Sequence, residues 1–122
     1  MKLGMAVRKT ENKKPTRYYS KRQEAAIAKT LGGQRVKNSG ATMFAKSDVL
    51  LDNFCIEAKT RTSPSQSISI KKEWLEKTAE ETLMMAKPYS ALAFNFGPNE
   101  KNYYIIDEYL FEELLNKLDK DD

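Results

Sequence analysis

The residues of this chain with the clearest chemical potential are two acids and a lysine, Asp48, Glu57 and Lys59, in the stretch SDVLLDNFCIEAKT. The two apolar runs of that stretch are joined by Asp-Asn at 52–53, which suits a two-residue hairpin turn because both residue types tolerate positive φ. The turn sets the register, so Asp48 is predicted to pair with Glu57, with Cβ atoms about 4.5–5.5 Å apart. Two carboxylates at that distance repel each other unless a cation lies between them, and carboxylate oxygens are ligands that Mg²⁺ prefers.

The same register divides the hairpin into two faces, because side chains alternate along a strand. The apolar face is predicted to carry Val49, Leu51, Phe54, Ile56 and Ala58, and the other face Asp48, Leu50, Cys55, Glu57 and Lys59. Lys59 would share the side of Glu57, where an ammonium group can stabilise developing charge or position a water. The alternative is that the two acids lie at an exposed edge and never share a face.

The other elements are predicted from capping residues, hydrophobic periodicity and helix breakers. The first helix begins at Ser20, with Gln23 at capping-box spacing, and ends at Gly32-Gly33. Further elements are a strand at 34–37, a helix at 70–86, strands at 90–96 and 103–107, and a helix at 108–118 that Asp107 caps. The apolar sides are predicted to be Ile27, Ala28 and Leu31 in the first helix, Trp74, Leu75, Ala79, Thr82, Leu83 and Ala86 in the second, and Leu110, Phe111, Leu114, Leu115 and Leu118 in the last.

One acid, Glu24, falls on the core-facing stripe of the first helix, where a carboxylate needs a partner. The predicted element order is α-β-β-β-α-β-β-α. A helical crossover between the third and fourth strands indicates an α/β fold with a mixed central sheet flanked by helices. The chain of 122 residues is predicted to form one domain, residues 18–122, preceded by a flexible basic arm, residues 1–17.

The amino-acid composition limits the catalytic groups and cross-links that the chain can form. There is no histidine and only one cysteine, Cys55, so the chain can form neither a His-based catalytic pair nor an internal disulfide. No apolar run approaches the length of a membrane span, and the first residues lack the apolar region of a secretory signal, so none is expected. Residues 1–47 carry 12 basic against 2 acidic residues, and residues 48–122 carry 9 against 15, which accounts for the net charge of +4. The basic half favours a polyanionic partner, although a solvated tail without a partner has the same composition.

The pattern resembles the PD-(D/E)xK nuclease superfamily, in which an acid on the first helix, an Asp and a Glu-x-Lys surround a metal ion. The matching residues are Glu24, Asp48, Glu57 and Lys59, while Ser47 stands where the motif has proline. The order α-β-β-β-α-β matches the restriction-endonuclease-like core. The segments RQEAAIAKTLGG, VKNSGA, ISIKKEWLEK and ALAFNF make the chain most similar to the archaeal-type Holliday junction resolvases and their viral relatives.

This resemblance implies a Mg²⁺-dependent endonuclease, with Mn²⁺ as a substitute, that resolves four-way DNA junctions as a homodimer by paired symmetric nicks. Asp48, Glu57 and Glu24 would hold the metal and Lys59 would assist the chemistry. The expected DNA contacts are Ser39, Lys37, Arg61 and Lys72 together with Lys13, Lys14 and Arg17 of the arm, although each could be an ordinary surface residue. The implied location is cytoplasmic and DNA-associated, with a viral gene as one origin. The alternatives are a nuclease for flaps, forks or plain duplex, and a DNA-binding module without chemistry on the same fold.

Overall fold

The structure is a computed structural model that describes residues 14–36 and 47–120. Three helices and five strands occur in this part of the chain, in the predicted order α-β-β-β-α-β-β-α. They are α1 (Thr16–Leu31), β1 (Gln34–Arg35), β2 (Val49–Leu50), β3 (Phe54–Lys59), α2 (Lys72–Met84), β4 (Tyr89–Phe94), β5 (Tyr103–Ile105) and α3 (Glu108–Lys120).

The strands form one mixed sheet in the order β1-β2-β3-β4-β5. Strands β3 and β4 are parallel, because α2 returns the chain to the same end of the sheet, and every other neighbouring pair is antiparallel. The strand predicted at 90–96 is therefore an interior strand, with a neighbour on each side. These findings confirm an α/β fold with a mixed sheet.

The predicted hairpin register is confirmed at the three positions nearest the turn. Val49 pairs with Ile56 and Leu50 with Cys55, and the Leu51 N–H donates to the carbonyl of Phe54 over 3.0 Å. The expected positive φ at 52–53 is wrong, because the non-glycine residues with positive φ in the described chain lie elsewhere, at positions 86 and 99.

The apolar face of the hairpin packs against α1, as the alternation of side chains predicts. The core cluster comprises Ile27, Val49, Ile56, Ala58, Ala91 and Ala93, with Ala28, Leu51, Phe54 and Ile106 packed at its margin. Helix α1 ends at Gly32, whose φ of 75° is the left-handed conformation of a helix C-cap. Gly33 is required by close packing, since an added Cβ would lie 2.8 Å from the Leu50 carbonyl oxygen.

Helix α1 differs from its prediction in the residue at which it begins and in the exposure of Leu31. It begins at Thr16, so Ser20 lies inside the helix and donates its hydroxyl to the Thr16 carbonyl instead of capping. Arg17 is helical too, whereas residues 1–13 of the predicted arm lie outside the described residues. Leu31, predicted to be buried, is 41% exposed because it lies in the last turn, next to the chain reversal.

Helix α2 packs on the opposite face of the sheet. On its predicted apolar side Thr82 is buried and Trp74 is half-buried, but the other predicted residues are exposed. Its buried residues are Thr78, Glu81 and Thr82, whereas Leu83 is 78% exposed and Leu75 is 37% exposed. The Thr78 and Thr82 hydroxyls each donate to the carbonyl four residues earlier, so their burial leaves no unpaired donor.

Helix α3 packs far less against the domain than its leucine stripe predicts. Leu110 is its only buried residue, and Asp107 caps it as predicted by accepting from the Leu110 N–H over 2.9 Å. The other residues predicted to be buried are exposed: Phe111 55%, Leu114 42%, Leu115 43% and Leu118 66%. In the described chain no element lies over this stripe, so the helix presents an apolar side to its surroundings.

Candidate active site

Asp48 lies at the position where the regular antiparallel pairing of β2 with β3 ends. Strand β2 begins at Val49, and the Asp48 N–H donates over 3.1 Å to the carbonyl of Ile56, the ladder partner of Val49. The predicted direct pair of Asp48 with Glu57 is therefore wrong in detail, because the regular ladder stops one residue earlier. The Asp48 carboxylate instead accepts a hydrogen bond of 2.8 Å from the Ala58 N–H, which ties it to β3 beside Glu57.

Glu57 and Lys59 lie on the face of β3 that α2 covers, as their two-residue spacing predicts. The Lys59 Nζ is 3.7 Å from a carboxylate oxygen of Glu57 and 4.4 Å from the centre of the Trp74 ring. The ammonium group is thus held between a carboxylate and an aromatic face, both of which attract a cation. This fixes the Lys59 side chain at the rim of the site.

Glu24 reaches the same region from α1. Its carboxylate lies 3.6 Å from the guanidinium of Arg35 on β1, and its side chain is only 15% exposed. The prediction that this acid faces the core side and needs a partner is confirmed, and Arg35 is that partner.

Asp48 interacts electrostatically with each of the two glutamates. Burial is the largest cause that raises the pKa of Glu24 to about 7, followed by the charge of Asp48, while Arg35 lowers it. Burial likewise raises the pKa of Glu57 to about 7, again followed by Asp48, while Lys59 lowers it. Asp48 is therefore the carboxylate that links the other two, while Arg35 and Arg17 lower the pKa of Glu24 and Lys59 and Lys77 lower that of Glu57.

The donor set fits a hard divalent cation in its chemistry, because it consists of carboxylate oxygens. In the conformation seen here, however, the described residues contain no group of three or more His, Cys, Asp or Glu side chains that could hold a metal ion. The two glutamates each lie next to a basic side chain instead, Arg35 or Lys59. Both contacts exceed hydrogen-bond length, and ion pairs of this kind contribute only about 0–1 kcal/mol, so a cation could displace either one.

A buried amide ties α1 to the end of β3 and so positions Glu24 relative to Lys59. The Gln23 side chain, 5% exposed, donates over 2.8 Å to the Lys59 carbonyl and over 3.0 Å to the Asn102 side chain. Gln23 was predicted to be a capping residue. Its burial next to Glu24 gives it a positioning role that the capping pattern does not indicate.

The predicted DNA contacts divide into described and undescribed residues. Arg61 is exposed just beyond β3, and Lys72 begins α2, where it lies 3.8 Å from Glu76 on the surface. Lys14 lies over the Tyr18 ring at 4.9 Å, and Arg17 is close enough to lower the pKa of Glu24. The remaining three, Lys13, Lys37 and Ser39, lie outside the described residues.

Two charged residues of the site were missed by sequence reasoning. Arg35 falls within the short strand predicted at 34–37. The alternation of side chains along that strand does not reveal a contact with α1. Glu81 is buried on α2 and raises the pKa of Glu57. Its signal was the spacing of Trp74, Thr78, Glu81 and Met85, which puts all four on one side of a helix. Cys55, predicted to share the hairpin face of Glu57, is fully buried, with its Sγ 3.9 Å from the Met85 sulfur.

Comparison of the chain with protein families, with curated proteins and with solved structures found no significant match. None of the helices in residues 14–36 and 47–120 combines the length and apolar character that crossing a lipid bilayer requires. Because no related protein was found, only the residues of the site itself indicate its chemistry.

Proposed function

We propose that this protein is a metal-dependent, structure-specific DNA endonuclease that hydrolyses phosphodiester bonds, with the four-way junction as its substrate. The observation that carries the proposal is the electrostatic convergence of Glu24, Asp48 and Glu57, with Lys59 beside one of them. Two partly buried glutamates whose pKa is raised by burial and by the neighbouring charge of Asp48 are costly to the fold, which is typical of a site that serves binding or catalysis. The element order and mixed sheet agree with the nuclease core that the sequence resembles.

Mg²⁺, or Mn²⁺ in its place, would be held by Asp48 and Glu57, with Glu24 as a further ligand directly or through water. When bound, such an ion neutralises charge at the scissile phosphate and activates a water for attack. The Asp48 carboxylate is oriented by the Ala58 N–H, and Gln23 holds α1 against the end of β3. These two contacts hold the carboxylate oxygens in position before a metal ion binds. The Ala58 N–H and the Gln23 side chain take no part in the reaction itself.

The role of Lys59 is to stabilise negative charge that develops on the phosphate during attack. Its ammonium group is close to Glu57 and lies over the Trp74 ring, so its position is set before substrate binds. A preorganised charge of this kind typically contributes about 10²–10³-fold in rate. If Glu57 held a cation, the Trp74 ring would still position the ammonium group at the rim of the site.

The basic residues near the site suit a DNA backbone. Arg61 and Lys72 lie at the ends of the segment between β3 and α2, and Arg17 lies in the first turn of α1. Lys14, Lys13, Lys37 and Ser39 complete the proposed set. Each phosphate contact made by such residues releases counterions, so binding should weaken steeply as salt rises.

A homodimer is proposed on the exposed apolar side of α3. Phe111, Leu114, Leu115 and Leu118 form a stripe centred on the middle of Glu108–Lys120, so a twofold axis through its centre would lay two copies against each other along the whole helix. These four side chains are between 42% and 66% exposed, so they would form the apolar centre of an interface, and the polar side chains around them would complete the ~800 Å² that each partner contributes to a stable one.

The test is a cleavage assay with labelled four-way junction, linear duplex, flap and single strand in Mg²⁺. Paired symmetric cuts confined to the junction support the proposal, and equal cutting of plain duplex would favour a restriction-type nuclease. Lys59→Ala should keep junction binding and lose cleavage, with Lys71→Ala as the matched control, because Lys71 also lies near the Trp74 ring, at 5.8 Å, but is exposed. Cleavage by Lys59→Ala at the wild-type rate would remove Lys59 from the mechanism.

A DNA-binding module without chemistry is the second candidate, and one observation favours it. Within the described residues the acids are next to Arg35 and Lys59 and do not form a three-ligand group. Thermal unfolding with and without Mn²⁺ separates the two, because a ligand that binds only the folded state raises the melting temperature with concentration. A melting temperature that does not respond to Mn²⁺ would favour the module.

A further inference from the structure

Glu81 is a buried carboxylate that the proposed chemistry does not use. Its residue is only 5% exposed, and its Oε1 atom has no hydrogen-bond partner in the described chain. A buried carboxylate oxygen without a partner is costly to the fold, so a group in this position points to a ligand that the described residues do not supply.

Two contacts show how α2 lies along β3. The Lys59 ammonium lies over the Trp74 ring at 4.4 Å near the start of the helix, and the Cys55 sulfur lies 3.9 Å from the Met85 sulfur just beyond its end. Helix and strand therefore run in opposite directions across each other, over about 16 Å of helix and about 13 Å of strand. The midpoint of that strand segment is Glu57.

The side of α2 that faces the midpoint carries Thr78 and Glu81, both buried. The Thr78 hydroxyl donates to the Trp74 carbonyl, so it offers Glu57 no donor. Glu81 raises the pKa of Glu57, and Lys77, one turn earlier, lowers it, which places both charges close to that carboxylate. Lys77 is itself exposed, whereas Glu81 is enclosed between the helix and the sheet.

We propose that Glu81 is an additional carboxylate of the metal centre, which shares the divalent cation with Glu57 from the helix side, directly or through a water ligand. The inference rests on the proposed metal-dependent function and adds to it a residue outside the Asp and Glu-x-Lys pattern. A shared cation would explain why Glu81 is buried beside Glu57. Two neighbouring buried acids destabilise the metal-free protein, and the arrangement becomes favourable with a cation between them.

The decisive measurement is Mn²⁺ affinity by isothermal titration at pH 7.5, on the wild-type chain, on Glu81→Gln and on Glu80→Gln. Glu80 is the neighbouring helix residue and is exposed, so its variant matches the change in charge without touching the site. Loss of a group that positions a metal ligand typically weakens metal binding about 10- to 100-fold, and this loss is expected for Glu81→Gln alone. Glu81→Met, which removes the charge at similar volume, should give the same loss and supplies a second folded variant.

The outcomes separate this inference from the function on which it rests. If the wild type binds Mn²⁺ and both Glu81 variants bind it with unchanged affinity, Glu81 has no part in the metal centre and the inference is overturned while the metal-dependent function stands. If the wild type itself binds no Mn²⁺, the metal-dependent function and this inference both fail. Weakened binding in the Glu81 variants, with Glu80→Gln unchanged, supports the assignment.

Discussion

Replacing Glu57 with glutamine should stabilise the metal-free protein at neutral and alkaline pH. The folded state raises the pKa of Glu57 from its ordinary value of 4.5 to about 7, first by burial and then by the charge of Asp48, against the opposing effect of Lys59. The folded protein therefore holds a proton that the unfolded chain releases, and the stability contributed by this group is lost as pH rises from 4.5 through 7. Glutamine has the same shape as the protonated acid and never ionises.

The magnitude follows from the pKa. A tenfold change in an ionisation constant corresponds to about 1.4 kcal/mol, so the full difference would be about 3 kcal/mol. The Glu57 side chain is 23% exposed, and solvent screening lowers the expected value to about 2 kcal/mol. Glu57→Gln should therefore exceed the wild type in free energy of unfolding by about 2 kcal/mol at pH 8 and match it near pH 4.

The assay is urea denaturation of metal-free protein, buffered with a chelator, at several pH values between 4 and 8. Glu80→Gln is the control, because this exposed glutamate should give curves parallel to the wild type at every pH. A Glu57→Gln protein that is less stable than the wild type at pH 8 would refute the reasoning, since it would mean that Lys59 outweighs burial and Asp48. A difference that does not change with pH would refute it equally.

Two further predictions concern packing and assembly. Gly33→Ala should lower the free energy of unfolding by about 1–3 kcal/mol in urea denaturation. The reason is that the new Cβ would lie 2.5 Å from the Leu51 side chain and 2.8 Å from the Leu50 carbonyl oxygen. A variant as stable as the wild type would show that α1 and β2 are not packed this closely at Gly33. Leu118→Lys should shift the mass measured by light scattering from two chains to one, whereas Leu31→Lys, an exposed leucine outside the α3 stripe, should leave it unchanged. A wild-type protein that is already monomeric at high concentration would contradict the proposed interface.

Local patterns predicted the hairpin well, because its determinants lie within the hairpin itself. A two-residue connection fixes which residues pair, and alternation then fixes which side chains share a face, so Val49 and Ile56 were placed in the core from the sequence. The helices were predicted less well on their buried faces. Leu83 and Leu118 follow a helical period, but a period says only which residues lie together and not whether another element covers them.

The sequence by itself determined the kind of chemistry that is open to this protein. With no histidine and one cysteine, any metal site must be built from carboxylates, and the hairpin carries two of them with a lysine nearby. Only the tertiary structure decided which charges meet there. The contact of Arg35 with Glu24 and the approach of Glu81 to Glu57 join residues on separate elements, and the raised pKa values arise from burial that exists only after those elements pack.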